Sequence, residues 1–231
     1  MNTNNSTLLT TQDLSIAFGG LVAVDHVDME VKRGSIMGLI GPNGSGKTTI
    51  FNMITGLYVP TGGQILMDGD SLVGKPPYQI ARKGVARTFQ TSRLCLDLSV
   101  LDNVFIGMHA RQKQGLYSAV FNRKLVSAEI GTAYEKVFDL LTIFNPEIVK
   151  RAGEPAGRLP QIDRRRVEIC RAMAAEPRLL LLDEPSAGMT PEEITELMSD
   201  IRKVQEASDD ITIIIVEHVM SVIRSITEHV V

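Results

Sequence analysis

The sequence predicts an α/β protein in which helices cover a parallel sheet and a mainly helical segment interrupts the sheet-forming parts. Two observations carry this prediction. Segments typical of strands and of helices alternate late in the chain, at Arg178 to Leu182, Pro191 to Ala207, Ile211 to Val216 and His218 to Thr227. Before them, the apolar residues follow a helical period. We therefore expect one domain, with an α/β core at residues 1–90 and 176–231 and a helical subdomain at residues 91–175.

Strand-like segments dominate the beginning of the chain. They cover Leu8 to Phe18, Val22 to Val31, Ser35 to Ile40 and Gln64 to Met67. A short helix is predicted from Thr48 to Ile54, directly after the third of these strands.

Three helices are predicted in the central segment. Ser99 is suited to be the N-cap of the first, which runs to about Lys113. The third extends from about Asp163 to Ala175 and places Cys170 on its apolar side, where we expect a small buried thiol. The second carries an apolar stripe at helical spacing, which we interpret as core packing, formed by Ile130, Tyr134, Val137, Leu141 and Phe144.

The most informative motif lies between the third strand and its helix. The run Gly41-Pro42-Asn43-Gly44-Ser45-Gly46-Lys47-Thr48 has the glycine, lysine and hydroxyl spacing of a phosphate-binding loop. Its glycines let successive backbone N–H groups point at an anion, and the positive end of the following helix adds to that field. Lys47 can then reach the β- and γ-phosphates, and Thr48 can ligate Mg²⁺. The motif predicts a nucleoside triphosphate site.

A pair of acids ends a continuous apolar strand. Asp183 and Glu184 follow Leu179 to Leu182, and ligands of α/β sheets bind at the carboxyl ends of such strands. Asp183 is suited to hold Mg²⁺ through water, and Glu184 to orient and deprotonate the attacking water. His218 follows a second apolar strand and is suited to hydrogen-bond a γ-phosphate. Gln90, after a short strand-like run, is a further candidate to ligate the metal or to position the water.

The composition is that of an ordinary protein of the cell interior. Apolar residues make up 44% of the chain and the formal net charge is −3, so the overall charge does not favour nucleic acid as a partner. The first residues carry neither a basic region nor an apolar core, and we expect no secretory signal. The 2 cysteines are too few for a disulfide framework, which favours a reducing, cytoplasmic compartment.

Taken together, these motifs resemble the nucleotide-binding subunit of ABC transporters over essentially the whole chain. Within that family the chain resembles in particular the ATP-binding subunits of branched-chain amino acid importers. Besides the phosphate loop, the stretches that carry this similarity are Phe18 to Val24, Arg87 to Thr91, Leu101 to Val104, Arg111 to Lys124, Arg165 to Ile169 and Asp183 to Gly188.

The resemblance implies a P-loop NTPase core with a mixed sheet and helices, an antiparallel β subdomain and an inserted helical subdomain. It implies ATP and Mg²⁺ as ligands, with Phe18 stacked on adenine and with Val24 and Thr49 beside the nucleotide. It also implies a second ATP-binding subunit and transmembrane permease subunits as partners, and a peripheral place on the inner face of the cell membrane. Hydrolysis would then power the uptake of branched-chain amino acids, and urea or short amides would fit about as well.

One family motif is altered. Family members act in pairs, and a Leu-Ser-Gly-Gly-Gln signature of one subunit closes on the nucleotide of the other. Here the ungapped alignment gives Leu159-Pro160-Gln161-Ile162-Asp163. Pro160 lacks a hydroxyl and a backbone N–H, the branched Ile162 hinders close approach of the backbone to phosphate, and Asp163 adds a negative charge. We therefore expect an asymmetric pair, in which a different subunit supplies a complete signature and receives this weak one.

Smaller departures concern three further positions. Thr190 stands where the family has Asn or Asp, Val219 stands where an acid often follows the histidine, and the chain ends at Val231 where the family continues, so we expect an incomplete C-terminus. Two alternatives stay open beside a transport ATPase. One is an ATP-binding regulatory subunit with little hydrolysis, which the altered signature favours, and the other is a cytosolic ABC ATPase that acts on ribosomes or DNA.

Overall fold

The structure, a computed structural model, describes residues 6–89, 93–108, 123–208, 211–218, 226 and 229–230. The chain divides into two compact units, formed by residues 1–90 with 177–231 and by residues 91–176. We call them the core unit and the helical unit. No helix in the described part of the chain is long and apolar enough to cross a bilayer.

All strands in the described part of the chain belong to the core unit. They are β1 (Thr7–Phe18), β2 (Leu21–Lys32), β3 (Ile36–Ile40), β4 (Gly62–Met67), β5 (Asp70–Ser71), β6 (Val85–Arg87), β7 (Leu179–Asp183), β8 (Thr212–Glu217) and β9 (His229–Val230). The described helices of the two units are α1 (Lys47–Ile54), α2 (Pro77–Arg82), α3 (Val100–Met108), α4 (Arg123–Phe144), α5 (Pro146–Lys150), α6 (Gln161–Met173) and α7 (Pro191–Ala207).

An antiparallel sheet in the order β2-β1-β4-β5 opens the core unit. Strands β1 and β2 form a hairpin in which Phe18 faces Leu21 across the Gly19-Gly20 turn. Strand β4 returns alongside β1 and pairs Ile65 with Thr11. The antiparallel β subdomain is therefore confirmed, and each predicted strand of this sheet lies within two residues of its observed bounds.

A parallel sheet in the order β6-β7-β8-β3-β9 forms the second layer. Every residue of β7 and β8 is buried, which explains why their sequences are apolar runs without alternation. The alternation of strands and helices predicted this parallel sheet, and the α/β fold with its helices is confirmed. Between the layers, the core brings together apolar side chains of both sheets and of α1, with Phe51 of α1 completely buried.

The helical unit is built around α3, α4 and α6. Ser99 accepts a hydrogen bond from the Asp102 N–H at 3.0 Å, which confirms the predicted N-cap of α3. The predicted continuation of this helix to Lys113 lies outside the described residues, as does most of the helix predicted after His218.

The apolar stripe of α4 is buried over its second half. Val137 and Leu141 are completely buried and Phe144 nearly so, which confirms their assignment to the core. Tyr134 differs, because it is 40% exposed and its ring packs against Phe105 with the centroids 4.6 Å apart. A tyrosine at the edge of the unit can bury its ring on one side and keep its hydroxyl in water, so its assignment to the core was wrong. The side chain of Ile130 is not among those described.

The two thiols provide a test of the helical unit. Cys170 is completely buried in α6 and burial raises its pKa far above the usual range, whereas Cys95 is exposed. We expect Ellman's reagent to modify one thiol of the native protein rapidly and the second only after addition of denaturant. In Cys95→Ser the rapid phase should be lost, while in Cys170→Ala it should remain. A rapid reaction in Cys95→Ser would show that α6 is not packed as described.

Candidate nucleotide-binding site

The phosphate-binding motif forms the turn between β3 and α1. Gly46 has a left-handed backbone with φ of 91° and immediately precedes the first residue of α1. The exposed part of the turn contains Pro42, Asn43, Gly44 and Ser45, followed by Thr48 at the start of the helix. The backbone N–H groups of the first helical turn have no partner within the helix itself, so this end of α1 is suited to bind an anion.

Strand β2 packs directly against this turn. A Cβ atom on Gly46 would lie 2.4 Å from the Ala23 carbonyl oxygen and 3.0 Å from Val24 Cγ2, closer than real contacts allow. Val24 is 4% exposed, so its side chain supports the loop and presents little surface to a ligand. Glycine at 46 is therefore required twice, by the backbone angle and by the available space.

The lysine of the motif lies inside the loop. Lys47 is 6% exposed, and its Nζ donates hydrogen bonds to the carbonyl oxygens of Gly41 and Pro42, both at 2.8 Å, and to Ser45 Oγ at 3.3 Å. These bonds hold a positive charge at the centre of a ring of backbone. The neighbouring Thr49 is half-buried.

The predicted catalytic side chains leave the sheet at the same edge as the loop. In the parallel register, Ile40 of β3 faces Glu217 of β8, and Val216 of β8 faces Asp183 of β7. Because these strands are parallel neighbours, the residues that follow them emerge side by side, and these are Gly41, Glu184 and His218. The structure thus brings together the phosphate loop, the acids and the histidine that the sequence places far apart.

Glu184 has a strained backbone. Its φ is +45°, a left-handed conformation that costs a residue with a side chain roughly 1–3 kcal/mol. Its N–H donates to the Val216 carbonyl at 3.0 Å, so the end of β8 holds this turn in place. Strain of this kind is concentrated at functional sites, because it fixes the direction of a side chain.

Asp183 is held by an arginine that the sequence analysis did not identify as a site residue. The carboxylate is 2% exposed, and its Oδ2 accepts a hydrogen bond from Arg87 Nη2 at 2.7 Å. Arg87 Nη1 donates to Asn52 Oδ1 of α1, also at 2.7 Å, and the guanidinium lies over the rings of Phe51 and Phe89. One buried cation therefore links β6, β7 and the helix of the phosphate loop. An arginine within a short strand-like run was the signal available in the sequence.

His218 stands next to a second buried acid. Its side chain is 51% exposed, and Nδ1 lies 4.0 Å from Oε2 of the completely buried Glu217. Oε1 of Glu217 accepts the Ser186 N–H at 3.0 Å. Glu217 is visible in the sequence as an acid that ends an apolar strand, but only the register shows that it faces the site.

The hairpin tip presents an aromatic surface. Phe18 is 46% exposed and makes an edge-to-face contact with Tyr58, with ring centroids 5.3 Å apart. This leaves much of the Phe18 ring open to solvent, as a residue that stacks on a base requires. Gln90 and Val219 lie outside the described residues.

The loop after Glu184 ends in a capped helix. Thr190 accepts the Glu193 N–H at 3.3 Å, and the Glu193 carboxylate accepts the Thr190 N–H at 2.9 Å, which together form a capping box at the start of α7. Threonine caps a helix as asparagine or aspartate does, so this departure from the family pattern has a local structural explanation.

The altered signature segment forms the N-terminus of α6 in the helical unit. Leu159 is buried, Pro160 is the N-cap, and Pro160 and Gln161 are exposed. Ile162 is only 8% exposed, so most of its side chain packs into the unit, and the predicted hindrance at this position concerns its Cβ atom next to the backbone. Asp163 accepts a hydrogen bond from Arg166 Nη1 at 2.8 Å, which offsets much of the negative charge expected at this helix end.

The oxygen ligands expected for Mg²⁺ are hydroxyl and carboxylate groups. Among the described residues there is no cluster of three or more His, Cys, Asp or Glu side chains that could hold a metal. Mg²⁺ bound with ATP does not need one, since it takes most of its ligands from phosphate and water. The hydroxyl of the exposed Thr48 and the carboxylate of Asp183 are therefore a sufficient set of protein ligands for Mg²⁺ bound with ATP.

Comparison with known proteins gives a consistent result. A family model described as ABC transporter matches residues 24–187. The chain is 38% identical over 224 residues to the high-affinity branched-chain amino acid transport ATP-binding protein BraF of Pseudomonas aeruginosa, covering 97% of this chain and 87% of BraF. It is 39% identical over 223 residues to LivG of Escherichia coli K12, which carries the same description, covering 96% of this chain and 86% of LivG.

Solved structures share the fold. The ADP conformation of MJ1267, described as an ATP-binding cassette of an ABC transporter, superposes with a TM-score of 0.82 at 27% identity. The match covers 97% of this chain and 86% of MJ1267.

Two glycines of the loop provide a matched test of its geometry. Gly44 and Gly46 both have positive φ, but a Cβ atom meets no other atom within 4 Å at Gly44 and lies 2.4 Å from the Ala23 carbonyl oxygen at Gly46. We expect Gly44→Ala to lower the free energy of unfolding by about 1–2 kcal/mol through backbone strain alone. Gly46→Ala should cost clearly more. Urea denaturation measures both, and equal losses would contradict the packing of β2 against the loop.

Proposed function

Because the chain belongs to the ABC transporter family and is one of its ATP-binding, ATP-hydrolysing subunits, we propose that it powers an importer of branched-chain amino acids or related small amides. The observation that carries the proposal is the common edge of β3, β8 and β7, where the phosphate loop, Glu184 and His218 emerge from adjacent strands. The descriptions of BraF and LivG support the class of solute.

The phosphates of ATP bind at the loop and at the N-terminus of α1. Phosphate oxygens replace the Gly41 and Pro42 carbonyls as partners of Lys47 Nζ, and the backbone N–H groups of the loop complete the cradle. Such an exchange is favourable, because hydrogen bonds between ions are stronger than those to neutral carbonyls. Adenine stacks on the exposed ring of Phe18, while Thr49 lies near the phosphates and Val24 supports the loop.

The Thr48 hydroxyl, Asp183 and Gln90 would hold Mg²⁺, which would neutralise negative charge on the phosphates. Arg87 donates to Oδ2 of Asp183, so the carboxylate is already held in one orientation. Glu184 orients and deprotonates the attacking water, and the strained turn fixes its direction. His218 contacts the γ-phosphate from the end of β8.

The partners are a second ATP-binding subunit and the permease subunits of the transporter. The chain acts on the inner face of the membrane through these permease subunits. Nucleic acid is not a partner, in keeping with the net charge of −3. An ATPase that acts on ribosomes or DNA is disfavoured because BraF and LivG are both described as transport proteins.

The pair of ATP-binding subunits is asymmetric. Pro160 removes one hydroxyl and one N–H from the signature, and the loss of a charge-assisted hydrogen bond costs roughly 1.5–3 kcal/mol. This loss falls on the nucleotide of the partner, whereas the chain's own loop and acids are complete. The altered signature also favours a second candidate function, a regulatory subunit that binds ATP with little hydrolysis. The two functions differ in their dependence on Glu184, because only a transport ATPase needs this residue for turnover.

Binding and hydrolysis can be separated with two variants. We expect Lys47→Ala to weaken ATP binding roughly 10- to 100-fold, because it removes one or two charge-assisted hydrogen bonds to phosphate. Glu184→Gln should bind ATP as the parent does and lose hydrolysis by a factor of about 100 or more. Lys150→Ala, whose side chain is 70% exposed, is the matched control and should change neither property. Calorimetry and phosphate release measure the two effects, and unchanged hydrolysis in Glu184→Gln would contradict the assigned role.

The weak signature predicts how the chain behaves on its own. We expect the isolated chain to bind ATP but to hydrolyse it slowly at every protein concentration. A variant with Pro160→Ser, Gln161→Gly and Asp163→Gln restores most of the signature and leaves the buried Ile162 unchanged. Its ATPase rate should exceed that of the parent about tenfold or more and rise faster than linearly with protein concentration.

The control for this experiment is Glu184→Gln in the restored background, which should abolish the gain. If the parent chain alone reached the rate of the restored variant, the proposed asymmetry would be wrong and the chain would pair with itself.

A further inference from the structure

We propose that Glu217 is a positioning residue that joins His218 to the loop carrying Glu184. One carboxylate oxygen holds this loop through Ser186, and the other is the acceptor for the Nδ1–H of His218. The inference rests on the proposed function, since it assigns a supporting group to a side chain placed at the γ-phosphate.

The burial of Glu217 is unusual for a carboxylate. The residue is completely buried at the end of β8, where an ionised group loses its hydration and needs hydrogen bonds to compensate. Oε1 accepts the Ser186 N–H at 3.0 Å, but Oε2 is buried and has no hydrogen-bond partner among the residues that the structure describes. A buried carboxylate oxygen without a hydrogen bond costs folding free energy. Its presence in a native fold therefore needs an explanation, such as a role in function.

The neighbour of the unsatisfied oxygen is the predicted γ-phosphate ligand. His218 Nδ1 lies 4.0 Å from Oε2, which is beyond a hydrogen bond but within reach of one after a small rotation of an imidazole that is 51% exposed. A carboxylate acceptor at Nδ1 fixes the proton on that nitrogen. When both ring nitrogens carry a proton, Nδ1–H donates to Glu217 and Nε2–H, on the far side of the ring, can donate to a phosphate oxygen.

Oε1 of Glu217 supports the loop that carries Glu184. The Glu184 N–H donates to the Val216 carbonyl, and two residues later the Ser186 N–H donates to the Glu217 side chain. The last two residues of β8 thus hold both sides of the strained turn at Glu184. A displacement of His218 by the phosphate would be transmitted through one carboxylate to the loop that orients the attacking water.

Glu217→Gln separates this role from packing. Its side-chain carbonyl can keep the bond from the Ser186 N–H, which then places the NH₂ group at the position of Oε2. An NH₂ group donates, so it favours a lone pair on His218 Nδ1 and moves the proton to Nε2. The matched control is Thr212→Val, which removes another completely buried polar group at the opposite end of β8, where Thr212 Oγ1 accepts the Gly34 N–H at 2.9 Å.

The test is the tautomer of His218, read by ¹⁵N NMR of histidine-labelled protein with and without Mg-ATP. The background is Glu184→Gln, which prevents turnover, and His218→Ala assigns the signal among the 4 histidines. We expect proton occupancy on Nδ1 in the parent, a severalfold loss of it in Glu217→Gln, and no change in Thr212→Val. Urea denaturation of each variant confirms that it is folded.

The outcomes test the positioning role of Glu217 separately from the contact of His218 with the γ-phosphate. If Glu217→Gln is folded and leaves the tautomer unchanged in both states, the positioning role is wrong. If Mg-ATP binds by calorimetry but leaves the His218 signals of the parent unchanged, the proposed contact with the γ-phosphate is wrong, while the response to Glu217→Gln still decides the pairing. A tautomer change in Thr212→Val of the same size as in Glu217→Gln would also overturn the inference, because it would reflect general loosening of β8.

Discussion

The hydrogen-bond ladder that joins β3, β8 and β7 is the constraint on which the site depends. Ile40 faces Glu217 and Val216 faces Asp183, so three strands that are distant in sequence end at one edge. A shift of one residue in either pairing would turn the side chains at the strand ends to the opposite face. Such a shift would also move the buried Asp183 and Glu217 away from the groups that hydrogen-bond them.

Around this edge the fold keeps charged groups that are buried and held by short bonds. Lys47 is enclosed by carbonyls of its own loop, Asp183 by Arg87, and Glu217 by the Ser186 N–H. Breaking a buried ion pair by removing one partner typically costs roughly 3–5 kcal/mol, so Asp183 and Arg87 hold each other firmly once the fold has formed. Arg87 also donates a hydrogen bond to Asn52 of α1, and the end of β7 is therefore tied to the helix that follows the phosphate-binding motif. Such preorganised charge is what phosphoryl transfer requires of a protein.

The N-terminus of α6 in the helical unit offers fewer hydrogen-bond donors than the phosphate loop of the core unit. Pro160 offers no N–H and the Asp163 carboxylate is taken up by Arg166, while Arg164 Nε donates to the Leu159 carbonyl at 2.8 Å. This helix end lacks the N–H of Pro160 and keeps the Asp163 carboxylate paired, so it offers fewer donors to the phosphate of a partner. The difference between a complete phosphate loop and this altered signature gives the proposed asymmetry a physical basis.

The sequence by itself determined the class of fold, the phosphate loop and the acids at the end of β7, because glycine spacing and apolar runs are local properties of the chain. It also placed the N-cap at Ser99 and the buried thiol of Cys170. Only the tertiary structure decided the contacts of Arg87 and Glu217, the burial of Ile162 and the exposure of Tyr134. Those depend on strand register and on which helix face meets a neighbour, and both are set by contacts between residues far apart in the chain.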